Sequence, residues 1–146
     1  NPGTTVVIGR DPKGKAPAAA LEFSPVEDKA ADHLASLVRL CLRGRQQILP
    51  FFCAPGFALV ETLISRGWQP ETGDIPTDLL DAALEKARPH WNGTPFLPGE
   101  QENRYTTLVF GEADPFKDSE RLRRSGIPDT ALMVFTPLLE NLNDLS

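Results

Sequence analysis

The stretch that most limits how this chain can fold runs from Ala30 to Phe57. Ala30, Leu34, Leu37, Val38 and Cys41 recur at helical spacing, which predicts one buried apolar stripe on a helix that stops at Gly44. Leu49-Pro50-Phe51-Phe52 follows, with Pro55 and Phe57 close behind. Proline fixes φ, offers no N–H and disfavours helical geometry in the residue before it, so this segment cannot be regular helix throughout. Each aromatic side chain has about 150–250 Å² to bury. Phe51, Phe52 and Phe57 therefore go either into the core beneath the flanking helices or, with Leu49, into an apolar patch that docks a neighbour.

Around this centre the elements read in order. The β-branched run Thr4 to Ile8 predicts a strand, Asp11-Pro12-Lys13-Gly14 a turn, and Ala18 to Phe23 a second strand. Ser24-Pro25-Val26-Glu27 has serine at N-cap, proline at N1 and glutamate at N3, which predicts that the first helix starts there. Ala58 to Arg66 reads as a shorter helix closed by Gly67. Pro70 to Pro76 reads as a loop, and Thr77 caps a helix over Asp78 to Arg88 that Pro89 should end. Gly and Pro make His90 to Gln101 an exposed loop. Tyr105 to Phe110 fits strand or helix by pattern alone. Pro115 to Arg124 is a charged surface helix, and Asp129 begins a last helix that Pro137 should kink.

With 146 residues and 40% hydrophobic content the chain suits one domain with a real core. No apolar run approaches the roughly 18–20 residues that span a bilayer, and Asn1-Pro2-Gly3-Thr4 has no signal-peptide pattern, so the expected location is cytoplasmic, without a membrane partner. Cys41 and Cys53 are too few for a disulfide framework or zinc site and are expected as reduced core thiols. A net charge of -5 argues against strong polyanion binding by the whole surface, so any DNA contact is local.

Three motifs imitate catalytic sites. Gly9 to Lys15 satisfies G-x-x-x-x-G-K, but Ala16 stands where a P-loop needs Ser or Thr, and Pro17 prevents an immediate helix. Glu27-Asp28-Lys29 imitates the E-x-K of metal-dependent nucleases, whose side chains belong on a strand; here the triplet falls in the first turn of the expected helix, and Asp11 lies in a turn. His33 and His90 form no triad or metal cluster with Asp32 or Glu85. Arg39, Arg43 and Arg45 crowd one helix end, where cations either complement its carbonyls or, with Lys13 and Lys15, touch DNA phosphates. Arg121, Arg123 and Arg124 interleave with Asp118 and Glu120, as on a solvated face.

Several blocks, in order, carry a family resemblance. They are Val6-Val7-Ile8-Gly9-Arg10-Asp11; Leu34 to Phe52 with Leu40-Cys41-Leu42-Arg43-Gly44 and Leu49-Pro50-Phe51-Phe52; Ala83 to Arg88 with Trp91 and Gly93; Gly99-Glu100, Tyr105, Leu108 to Gly111 and Asp114-Pro115-Phe116; and Val134-Phe135 with Pro137-Leu138-Leu139. From about Val6 to Leu139 the chain resembles the C-terminal domain of the exodeoxyribonuclease V gamma subunit, RecC. It departs from that pattern at Cys41, where an aromatic is usual, and at Cys53, where proline is usual.

The resemblance implies an α/β fold, the C-terminal part of a restriction-endonuclease-like PD-(D/E)xK-like domain, with a β-hairpin followed by mostly helices; it also selects helix for Tyr105 to Phe110. It implies one domain, residues 1–146, belonging to a larger RecC-type subunit. That domain is expected to be non-catalytic, without cofactor or metal of its own, inside a helicase-nuclease complex for double-strand break repair and recombination. RecB-type and RecD-type helicase subunits and DNA are the implied partners. The competing readings are an active PD-(D/E)xK nuclease using Glu27 and Lys29, and a nucleotide-binding protein using Lys15. The expected contact residues are Lys13, Lys15, Arg43 and Arg45 for DNA and Leu49, Phe51 and Phe52 for docking.

Overall fold

A computed structural model of the chain describes residues 3–9, 18–26 and 29–144. Strands β1 (Thr5–Gly9) and β2 (Ala19–Phe23) pair antiparallel, Thr5 opposite Phe23 and Gly9 opposite Ala19. Then come helices α1 (Ala30–Gly44), α2 (Cys53–Ser65) and α3 (Thr77–Asn92). A minimal hairpin, β3 (Gly93–Thr94) with β4 (Leu97–Pro98), leads to α4 (Arg104–Phe110), α5 (Ser119–Ser125) and α6 (Ile127–Glu140). The last strand, β5 (Leu142–Asp144), adds to the free side of β2, so the sheet runs β1-β2-β5 and is antiparallel throughout. The fold is thus mixed α and β, a hairpin followed by mostly helices, with a small antiparallel sheet.

Helix α2 is the centre of the body because its sequence is apolar nearly all round, the pattern of a helix enclosed on most sides. Pro55, Gly56, Ala58, Leu59, Val60, Thr62 and Leu63 are all buried, and α2 packs chiefly on α3 and α6. Gly56 permits the close crossing with α6, since a β-carbon there would stand 3.2 Å from Cβ of Ala131. The one polar side chain buried on α2, Thr62, donates its hydroxyl to the Ala58 carbonyl at 2.7 Å. Helix α3 contributes Leu80, Ala83, Leu84 and Ala87, the face that its spacing predicts, and Trp91 from beyond the predicted end.

Several boundaries differ from the sequence reading. The first helix starts at Ala30, not at Ser24. Ser24 is committed to the sheet instead: its N–H donates to the Asn141 carbonyl at 2.8 Å, and its hydroxyl accepts from Asn143 Nδ2 at 2.7 Å. Its expected capping partner, Glu27, lies outside the described residues. Helix α2 begins at Cys53, five residues before the predicted start, because Pro55 falls in the first turn, where its missing N–H has no intrahelical partner to lose. Pro89 does not end α3, which continues to Asn92 and so delivers Trp91 to the core at 2% exposure. What reads as a loop from His90 to Gln101 is that last turn, the β3–β4 hairpin and a 3-10 turn over Glu100–Glu102. Strand β5 carries no recognisable strand signal of its own; pairing with β2 imposes it. Both cysteines are exposed rather than in the core, Cys41 on α1 and Cys53 at the first position of α2.

The hairpin after α3 closes through two glycines. Gly93 takes φ +78°, and a β-carbon there would stand 2.8 Å from the Leu97 carbonyl oxygen. A β-carbon at Gly99 would collide with the Trp91 carbonyl. This close backbone crossing sets the direction of Glu100, whose carboxylate accepts from the Ala54 N–H at 2.8 Å and so satisfies a free donor in the first turn of α2. Gly99→Ala should therefore cost about 3 kcal/mol or more, read as a fall in Tm on the order of 10 °C. Gly3→Ala, with nothing near its missing β-carbon, serves as the control that leaves Tm unchanged.

Candidate interaction surface

Leu49 to Phe52 forms a corner between α1 and α2. Leu49 is half-buried and folds back over the end of α1, where a β-carbon on Gly44 would meet Leu49 Cδ1 at 3.0 Å. Pro50 lies near Gly126, at the start of α6. Phe51 stacks on Phe135, ring centres 5.7 Å apart and 26° between planes. Phe52 turns inward and meets Trp91 edge-on at 4.9 Å, Phe110 at 5.3 Å and Phe116 at 6.1 Å, while Trp91 and Phe116 lie 5.2 Å apart. Of the three residues predicted for docking, Phe52 is buried in the core, Phe51 is half-buried and packed against it, and Leu49 is half-buried beside Gly44. Phe57 likewise packs edge-on against Phe135 at 5.5 Å.

The apolar stripe of α1 lies elsewhere than predicted. Leu34, Leu37, Val38 and Cys41 are exposed, Leu34 at 64%, and Leu40 is the buried residue of this helix. At 100° per residue Leu40 lies about 90° or more round from the centre of the stripe. Helix α1 makes only a light contact with α6, and Ala30 and Leu37 of the stripe line a groove beside Val134 and Leu138 of that helix. Strand β1 is exposed along its whole length, Ile8 at 74%, and stands at the edge of the sheet. It contains no charge and no proline, the usual protections of a free edge. Between sheet and helices opens a groove of about 510 Å³, lined by Val7, Phe23, Ala30, Leu37, Val134 and Leu138 among others. Val7 of the strand and Ala30 and Leu37 of the helix thus line one groove, with Leu34 and Val38 exposed on the same helix stripe.

The cations are arranged differently. Arg39 and Arg43 share the side of α1 opposite Leu34 and Val38, with Asp32, and Arg45 is the C-cap residue. All three arginines are exposed, and none has a carboxylate within 4 Å among the described residues. Lys13 and Lys15, the other expected phosphate contacts, lie outside the described residues. Elsewhere arginines have structural duties that the sequence does not reveal. Arg88 donates to the carbonyls of Phe116 and Lys117 at 3.3 and 3.0 Å, and Arg123 to that of Ile75 at 2.7 Å. Arg121 pairs with Asp118 at 3.5 Å and Arg124 with Glu120, on the solvated side of α5.

The motifs that imitate catalysis are only partly covered. Gly9 ends β1, and the next described strand, β2, is its antiparallel neighbour. Arg10 to Lys15, Glu27 and Asp28 lie outside the described residues, and Lys29 is the N-cap of α1. His33 is half-buried beside the groove and His90 is exposed near the end of α3. Among the described residues no three His, Cys, Asp or Glu side chains are placed to hold one metal ion, and no helix is long and apolar enough to cross a membrane.

Two outcomes follow from this arrangement. Phe52→Ala should lower stability by about 3–5 kcal/mol, whereas Leu34→Ser should leave Tm within a few degrees, both read by thermal melting. Arg43→Ala with Arg45→Ala should weaken low-salt binding to a mixed-sequence duplex and flatten its salt dependence, since each lost phosphate contact removes about one unit of the log–log slope. Unchanged binding would make these arginines helix-end groups only. No family model matches the chain, and neither a curated protein nor a solved structure matches it.

Proposed function

We propose that this chain is the C-terminal nuclease-like domain of a RecC-type subunit and that it works by contact, not by catalysis. In this reading it is part of a restriction-endonuclease-like fold within a cytoplasmic helicase-nuclease that processes double-strand breaks. RecB-type and RecD-type subunits are its partners, DNA passes through the assembly, and ATP, magnesium and strand cleavage belong to those subunits.

The observation that carries the reading is the apolar groove that Val7 of β1 and Leu37 of α1 share, with Leu34 and Val38 exposed on the same helix stripe. Contiguous apolar surface is uncommon on isolated domains and ordinary where one protein body seats against another. The three-dimensional meeting of the blocks that resemble RecC adds support. Phe52, Trp91, Phe110, Phe116 and Phe135 each come from a different block or from opposite ends of one, and they share a single core. Glu100, from another of these blocks, reaches the first turn of α2 directly after Phe52. A docking role assigned to the β1 and α1 surface stands beside the one expected of Leu49, Phe51 and Phe52, of which Phe51 and Phe52 pack within this protein's own core.

The reading is tested by assembly. Leu34→Asp with Val38→Asp should abolish co-purification with the RecB-type and RecD-type subunits while the variant's melting temperature stays within a few degrees of the parent. Intact assembly would remove this surface from the partner interface. In parallel, the purified chain should cleave neither single- nor double-stranded DNA with magnesium or manganese. Turnover that disappears in Glu27→Ala would instead establish the metal-dependent nuclease.

A further inference from the structure

We draw no further inference here: the strongest candidate, the open apolar groove between the β1 face and helices α1 and α6, belongs to the docking surface already proposed, and nothing in the structure shows what covers it.

Discussion

The contact between Phe52 and Trp91 is the one on which the rest of the body depends. Phe52 is delivered by an extended residue directly before α2, with φ -128° and ψ 126°, and Trp91 by a turn of α3 that continues past a proline. Their edge-on meeting at 4.9 Å fixes how the two longest-packed helices start and finish against each other. Phe116 and Phe110 then close around the same point, bringing the segment before α5 and the short α4 onto the body. Pairs of this geometry contribute about 0.5–1.5 kcal/mol beyond the area they bury. The larger effect is geometric: four separate parts of the chain are held at one place.

The molecule consequently has two unequal parts. Helices α2, α3 and α6 enclose nearly all the fully buried side chains, including Leu59, Val60, Leu63, Leu80 and Ile127. Strand β1 and helix α1 add few buried residues of their own; Leu40 is the only one between them. They are tied to the body through the β2–β5 pairing, the Ser24 to Asn141 bond and a light α1–α6 contact. A well-packed body carrying an apolar outer layer is suited to present a surface.

Much of the fold was legible because its signals are local and strong. The 3.6-residue spacing of Leu80, Ala83, Leu84 and Ala87 identifies the buried face of α3, and β-branched residues identify β1. The errors have a common physical origin in tertiary choice. Periodicity reports that Leu34, Leu37, Val38 and Cys41 share a face, but cannot report which neighbour that face meets, and here the helix buries Leu40 instead. Ser24 has the chemistry of a cap, yet its N–H and hydroxyl are taken by Asn141 and Asn143, some 120 residues away in the chain. Pro89 reads as a stop, but burial of Trp91 outweighs one missing hydrogen bond. The candidate surface was half legible: its apolar residues are visible in the sequence, whereas the inward turn of Phe52 at the Leu49 to Phe52 corner shows only in the packing.

Native-state hydrogen exchange of the whole chain tests this account most directly, because amides report the free energy of the opening that exposes them. If the Phe52–Trp91 junction holds a body that stands independently of its outer layer, the amides of Leu59 to Leu63 in α2 and Leu80 to Ala87 in α3 will exchange only through global unfolding. Those of Val6 to Ile8 in β1 and Leu34 to Val38 in α1 will then exchange through openings of much lower free energy, insensitive to Phe52→Ala. Equal opening free energies across β1, α1, α2 and α3, all falling together in Phe52→Ala, would contradict it.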